Sequence, residues 1–206
     1  MDISTLLEEL KDSPYKTVKV TAPHTGVIEN AVKEAGESVK PGQILAYIER
    51  ERNKKPITAP LKGKIEAVSS GAEGAFVEEG TELFSIRHYL TKDEAIEVIL
   101  KEALHLFTAP EQARYYFVPE VDRKIKTSGA KSLHIKEGME LLIMSRMKRE
   151  KLLPYSGPEG LIYAVYFKQG DNVAQGAPLI GVCPEDQIDR IQDVVGRVHG
   201  EWEEPE

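Results

Sequence analysis

Cysteine and tryptophan are nearly absent from this 206-residue chain, at one residue each. A single thiol, Cys183, cannot close an intramolecular disulfide. It has no Cys or His neighbour at metal-ligand spacing, so it excludes a local zinc motif and reads as a buried small hydrophobe. Long apolar runs are also missing. None approaches the roughly 20 residues that a membrane-spanning helix needs. The first residues are acidic and amphipathic rather than charged and then apolar, so the expected compartment is the cytoplasm. Basic excess is missing as well: 27 Lys and Arg stand against 34 Asp and Glu, for a net charge of -7. That balance argues against sequence-independent binding to nucleic acid, which needs a basic face. His24 sits in a turn with no nucleophile at motif spacing around it. His88, His105, His134 and His199 have no second ligand at i+2 or i+4. No glycine stretch has the strand-to-helix order of a phosphate-cradling loop.

What is present is a repeat. Gly26, Gly36, Gly42 and Leu45 recur as Gly160, Gly170, Gly176 and Leu179, at identical intervals. A third copy runs Gly63, Gly74, Gly80, Leu83 with one residue inserted, and a weaker fourth shows Ser132, Gly138, Leu141. Each copy reads as short strands punctuated by glycines at tight turns. A unit of about 30 residues buries too little apolar surface to stand alone, so the copies are expected to pair. The pairing predicts two β-modules near residues 17–88 and 115–184. Each is centred on a hairpin, Glu49 to Lys55 in the first and Ser145 to Lys151 in the second. Both hairpins are basic in an acidic chain. That pattern fits either cationic tips presented to an acidic partner surface or an anionic ligand, or simply solvated turns.

The remaining segments read as helices. Ile3, Leu6, Leu7 and Leu10 make a short stripe within residues 1–16. Thr91 to Phe107 begins with the capping box Thr91 and Glu94 and carries apolar residues at helical spacing, within a linker at 89–114. Ile188, Ile191, Val194 and Val195 make a third stripe, expected to end at Gly196. Glu201 to Glu206, around Trp202, reads as an acidic frayed tail within 185–206.

Three stretches carry a family resemblance. They are Ala22-Pro23-His24-Thr25-Gly26 through Val39-Lys40-Pro41-Gly42-Gln43, then Ala59-Pro60-Leu61-Lys62-Gly63, and Gly160 through Gly170 to Gly176. The pattern resembles the biotinyl/lipoyl attachment family, here as two tandem copies. The resemblance implies a mainly β chain of two barrel-sandwich hybrid modules, with short helices at the N-terminus, between the modules and at the C-terminus. In that family a lysine at the tip of the central hairpin, ten residues after the glycine before the strand, carries biotin or lipoate. Ten from Gly42 is Arg52, which cannot form the amide. Ten from Gly138 is Lys148, and Met147 before it matches the family's Met-Lys-Met tip.

The resemblance implies a non-catalytic biotin carrier of a multi-subunit carboxylase. Lys148 would be the attachment amine, Met147 and Arg149 its recognition flank, and carboxylase or transferase subunits and a biotin ligase its partners. Lipoate is disfavoured because the Asp-Lys-Ala tip is absent. Ser145, Arg146 and Arg149 depart from the family's Glu, Ala and second Met. The alternative is an unmodified adaptor that binds protein partners without a cofactor.

Overall fold

The glycine-punctuated apolar segments form sixteen short strands and four helices in the computed structural model, which describes residues 3–29, 34–69 and 74–204. The described residues divide into two units, 12–91 with 203–204 and 3–11 with 92–202.

Helix α1 (Ile3–Asp12) belongs to the second unit and precedes the strands of the first. Those are β1 (Tyr15–Thr21), β2 (Gly26–Glu29), β3 (Ser38–Val39), β4 (Ile44–Arg50), β5 (Asn53–Thr58), β6 (Gly63–Val68), β7 (Phe76–Val77) and β8 (Glu82–Tyr89). They make two antiparallel four-stranded sheets, ordered β1-β8-β6-β3 and β5-β4-β2-β7. The two half-units exchange their shortest strands, since β3 pairs with β6 and β7 pairs with β2. This exchange lets half-units that cannot stand alone share one core. Ile28, Leu45, Ile48, Ile65, Phe84 and Ile86 are buried between the sheets.

The second unit continues with α2 (Lys92–Ala103), β9 (His105–Thr108), β10 (Ala113–Phe117), α3 (Pro119–Ser128), a 3-10 turn at 130–132, β11 (His134–Ile135) and β12 (Glu140–Arg146). It is completed by β13 (Arg149–Pro154), β14 (Gly160–Val165), β15 (Asn172–Val173), β16 (Pro178–Cys183) and α4 (Ile188–Glu201). Its sheets run β9-β16-β14-β11 and β13-β12-β10-β15, the order of the first module strand for strand. The connecting backbone bonds repeat as well. Gly80 N–H donates to Ala22 O and Gly176 N–H to Ala109 O; Gly42 N–H donates to Ala59 O and Gly138 N–H to Tyr155 O. The chain is thus mainly β, two barrel-sandwich hybrid modules with short helices at the N-terminus, between the modules and at the C-terminus.

Helices α1, α2 and α4 lay their apolar stripes on the outer face of the β9-β16-β14-β11 sheet. There Ile3, Leu100, Leu104, Ile188 and Ile191 pack with Leu106, Tyr163, Ala164 and Cys183. Lys11 and Arg197 both pair with Glu8 and Glu201, tying α1 to α4. Among the described residues no helix is long and apolar enough to cross a membrane.

Four details depart from the sequence expectation. The linking helix stops at Ala103, and His105–Thr108 forms β9, which seats Phe107 in the module core instead of on a helix stripe. The second module therefore begins ten residues before the expected 115. Helix α3 is inserted between β10 and β11, where the sequence reading expected no helix. Helix α4 runs through Gly196 to Glu201, because Val198 extends the stripe into the core and Gly196 faces open space. Trp202 is no frayed residue: it is buried and its N–H caps the helix on Val198 O.

Cys183 is fully buried among these helices, and burial raises its thiol pKa. An inert thiol follows. We expect alkylating reagents to label Cys183 slowly in the folded chain and rapidly in denaturant; rapid labelling of the folded chain would place it at the surface. Tyr155 and Tyr166 are pushed up to about 12 by burial, Glu97 adding to the shift at Tyr166. The unfolded chain releases these protons near 10. The folded state is therefore favoured by them below pH 10, and that contribution is lost as the pH rises from 10 through about 12. Tyr89 and Tyr115 are also raised by burial, so phenolate absorbance of the folded chain should show these four tyrosines titrating late, and denaturant midpoints should fall across that window.

Candidate functional site: the two hairpin tips

The β4–β5 and β12–β13 hairpins turn in the minimum number of residues. Arg50 pairs with Asn53 and Arg146 with Arg149, leaving two-residue loops, Glu51-Arg52 and Met147-Lys148. All four loop residues have positive φ: 54° and 64° in the first, 48° and 62° in the second. Positive φ at both central positions is the signature of the type I′ turn, whose twist matches that of paired strands. Such turns usually take Asn and Gly, so these side chains carry a conformational cost at both tips. Among the described residues they are the non-glycine positions with positive φ. Backbone strain confined to two equivalent turns marks them as places where side-chain identity outweighs local stability.

At the second tip Met147, Lys148 and Arg149 are all exposed, Met147 at 86%. A methionine this exposed contributes nothing to the core. The Lys148 ammonium makes no ion pair or hydrogen bond among the described residues, while Arg146 is held by Glu111 at 2.6 Å. Glu111 lies in the β9–β10 loop, beside the hairpin because Arg114 of β10 pairs with Ser145. This brace is not visible in a local reading of the tip. It could have been found by aligning Thr21-Ala22-Pro23-His24 with Thr108-Ala109-Pro110-Glu111, two segments that make the same backbone bonds. The pair is half-exposed, worth under about 1 kcal/mol, and its effect is to orient the hairpin.

The structure brings the three expected residues together on one turn. It also places Arg52 at the equivalent position of the first module, with Glu51 where the second has Met147. The amine of Lys148 is exposed and on a rigid turn, as an attachment residue must be; the guanidinium of Arg52 does not fit that role. The histidines stay apart. His24 lies in the β1–β2 loop, its Nδ1 3.1 Å from Thr25 O. His134 stands between Glu159 and Glu185 at 3.7 and 3.6 Å on the surface. Among the described residues no group of three His, Cys, Asp or Glu side chains could hold a metal ion.

Residues 17–86 match the family model described as "Biotin-requiring enzyme". No curated protein matches the chain significantly. Among solved structures, the chain is similar to the urea carboxylase of Kluyveromyces lactis, with 22% identity over 34% of this chain and 6% of that one, at a TM-score of 0.32. It is similar also to a single-chain, multi-domain long-chain acyl-CoA carboxylase, with 16% identity over 52% of this chain and 13% of that one, at a TM-score of 0.33. The chain thus spans a small fraction of the length of either. Eight strands in two exchanged sheets, a two-residue hairpin tip and the family match together make residues 17–86 a biotinyl/lipoyl-type domain.

Proposed function

We propose that the chain is a non-catalytic carrier in which the second module bears biotin on Lys148. The observation that supports this most is the place of Lys148. It is a lysine at the second position of a two-residue turn with φ of 62°, in a module whose strand order repeats that of the biotinyl/lipoyl-type domain before it. The Lys148 amine would form an amide with the carboxyl of biotin after ATP has activated it, displacing the activating phosphate group and releasing two protons and the ammonium's positive charge. Biotin so held supplies carriage of a carboxyl group from one active site to another. The chain's own residues do the presenting. The I′ turn fixes the lysine Cα at the tip, Met147 offers a contact to the ligase, and the Glu111–Arg146 pair steadies the hairpin. The carboxylase and transferase active sites and the ligase would belong to other chains in the cytoplasm.

A second reading is favoured by a specific observation: the matched domain itself carries Arg52 at its tip, which no ligase can acylate in this way. Under it both modules are adaptors, and Lys148 stays a free amine. Exposure of the purified chain to a biotin ligase, biotin and ATP separates the two. The carrier reading expects one streptavidin-reactive group on the wild type, and the adaptor reading expects none.

A further inference from the structure

The two modules differ in how they neutralise the arginine at the base of the hairpin. In the second, Arg146 meets the carboxylate of Glu111 at 2.6 Å. In the first, the equivalent arginine is Arg50, and the position of Glu111 is taken by His24. Arg50 is left with its chain neighbour Glu51, at 3.9 Å and with both side chains largely exposed. Around this place a cleft of about 410 Å³ is lined by His24, Arg50, Glu51, Asn53 and Lys55. Lys55 has no ion-pair partner among the described residues. The Nε2 of His24 is shielded from solvent and has no hydrogen-bond partner among them either. Its Nδ1 lies 3.1 Å from the Thr25 carbonyl oxygen.

We infer that this cleft binds a small free carboxylate anion, which takes the place that the Glu111 side chain fills in the second module. Its oxygens accept from the Arg50 guanidinium and the Lys55 ammonium, charge-assisted bonds that are the stronger kind. Asn53 adds a neutral donor, and Glu51 sits on the rim, where repulsion discriminates against ligands of larger charge. The inference concerns the first module and is independent of whether Lys148 is modified.

The test is a titration of the full chain with sodium acetate at constant ionic strength, chloride replacing acetate, followed by backbone and arginine side-chain NMR shifts. The expected result is a saturating shift confined to residues 22–26 and 49–55, with residues 109–113 and 145–151 unmoved as an internal control. Arg50→Gln abolishes the response. His24→Glu, which rebuilds the arrangement of the second module, also abolishes it while leaving the chain folded. Shifts that fail to saturate, that chloride reproduces, or that persist unchanged in His24→Glu would overturn the site.

Discussion

Replacing Lys148 by arginine should remove every trace of biotin from the chain while leaving its fold intact. Position 148 is exposed, its ammonium makes no ion pair or hydrogen bond with other described residues, and arginine keeps the charge. Arg52 already occupies the equivalent φ > 0 position in the first module, so the turn accepts that side chain. The guanidinium cannot be acylated by the ligase, and the effect is therefore all or none. Two further variants separate turn geometry from flank chemistry. Arg149→Met restores the Met-Lys-Met tip and should raise the labelling rate several-fold. Arg52→Lys puts a lysine on the same kind of turn but after Glu51, and should stay unlabelled if Met147 is part of what a ligase reads. Labelling of Lys148→Arg at another lysine would remove the role assigned to the second hairpin. The readout is streptavidin binding with circular dichroism as the control for folding.

The second large effect lies in the scaffold. The first residue of β6 and of β14 is a glycine because a strand backbone passes too close for a side chain. A Cβ on Gly160 would run into the Cys183 carbonyl oxygen and lie 2.7 Å from its carbon, and one on Gly63 would lie 2.6 Å from Arg87 O. These contacts are with backbone, so no rotamer change relieves them, and the ladder itself must move. Gly160→Ala and Gly63→Ala should each cost about 1–3 kcal/mol, the range for overpacking a well-filled core. Gly196 supplies the opposite sign. It sits in the interior of α4 with nothing within 4 Å of its missing Cβ, and alanine there should stabilise by up to about 1 kcal/mol. Denaturant midpoints read both effects. Equal behaviour of the three variants would show that backbone proximity is not what holds these positions as glycine.

The glycine intervals were sufficient to find the half-units, because each interval corresponds to a turn. Gly42 and Gly176, with φ of 77° and 79°, end equivalent turns in the first and last copies. The fourth copy, weakest in the sequence, read poorly for a physical reason. From Ala113 to Ser132 it spans nineteen residues where Gly26 to Gly36 spans ten, and the extra length is mostly α3. That helix buries only Val121 fully, with Ile125 packed beside it, and carries charges at Glu120, Asp122, Arg123, Lys124 and Lys126. Its apolar stripe is too thin to stand out, and tertiary packing defines it. Strand β9 was hidden for a related reason, since Leu104 and Phe107 continue the spacing of α2 even though the chain has already turned into the sheet. At the tip, spacing from Gly138 singles out Lys148, with Met147 and Arg149 on either side of it in the chain. The Glu111 brace and the His24 cleft were not legible, because both join segments far apart in sequence through the module's own loops.

The carrier account is tested most directly by the intact mass of the protein purified from its own cells, with the peptide spanning 141–150 released by a Glu-specific protease and sequenced by fragmentation. The account predicts one biotin-sized increment per chain, located on Lys148. An unmodified mass from cells that contain an active biotin ligase would contradict it.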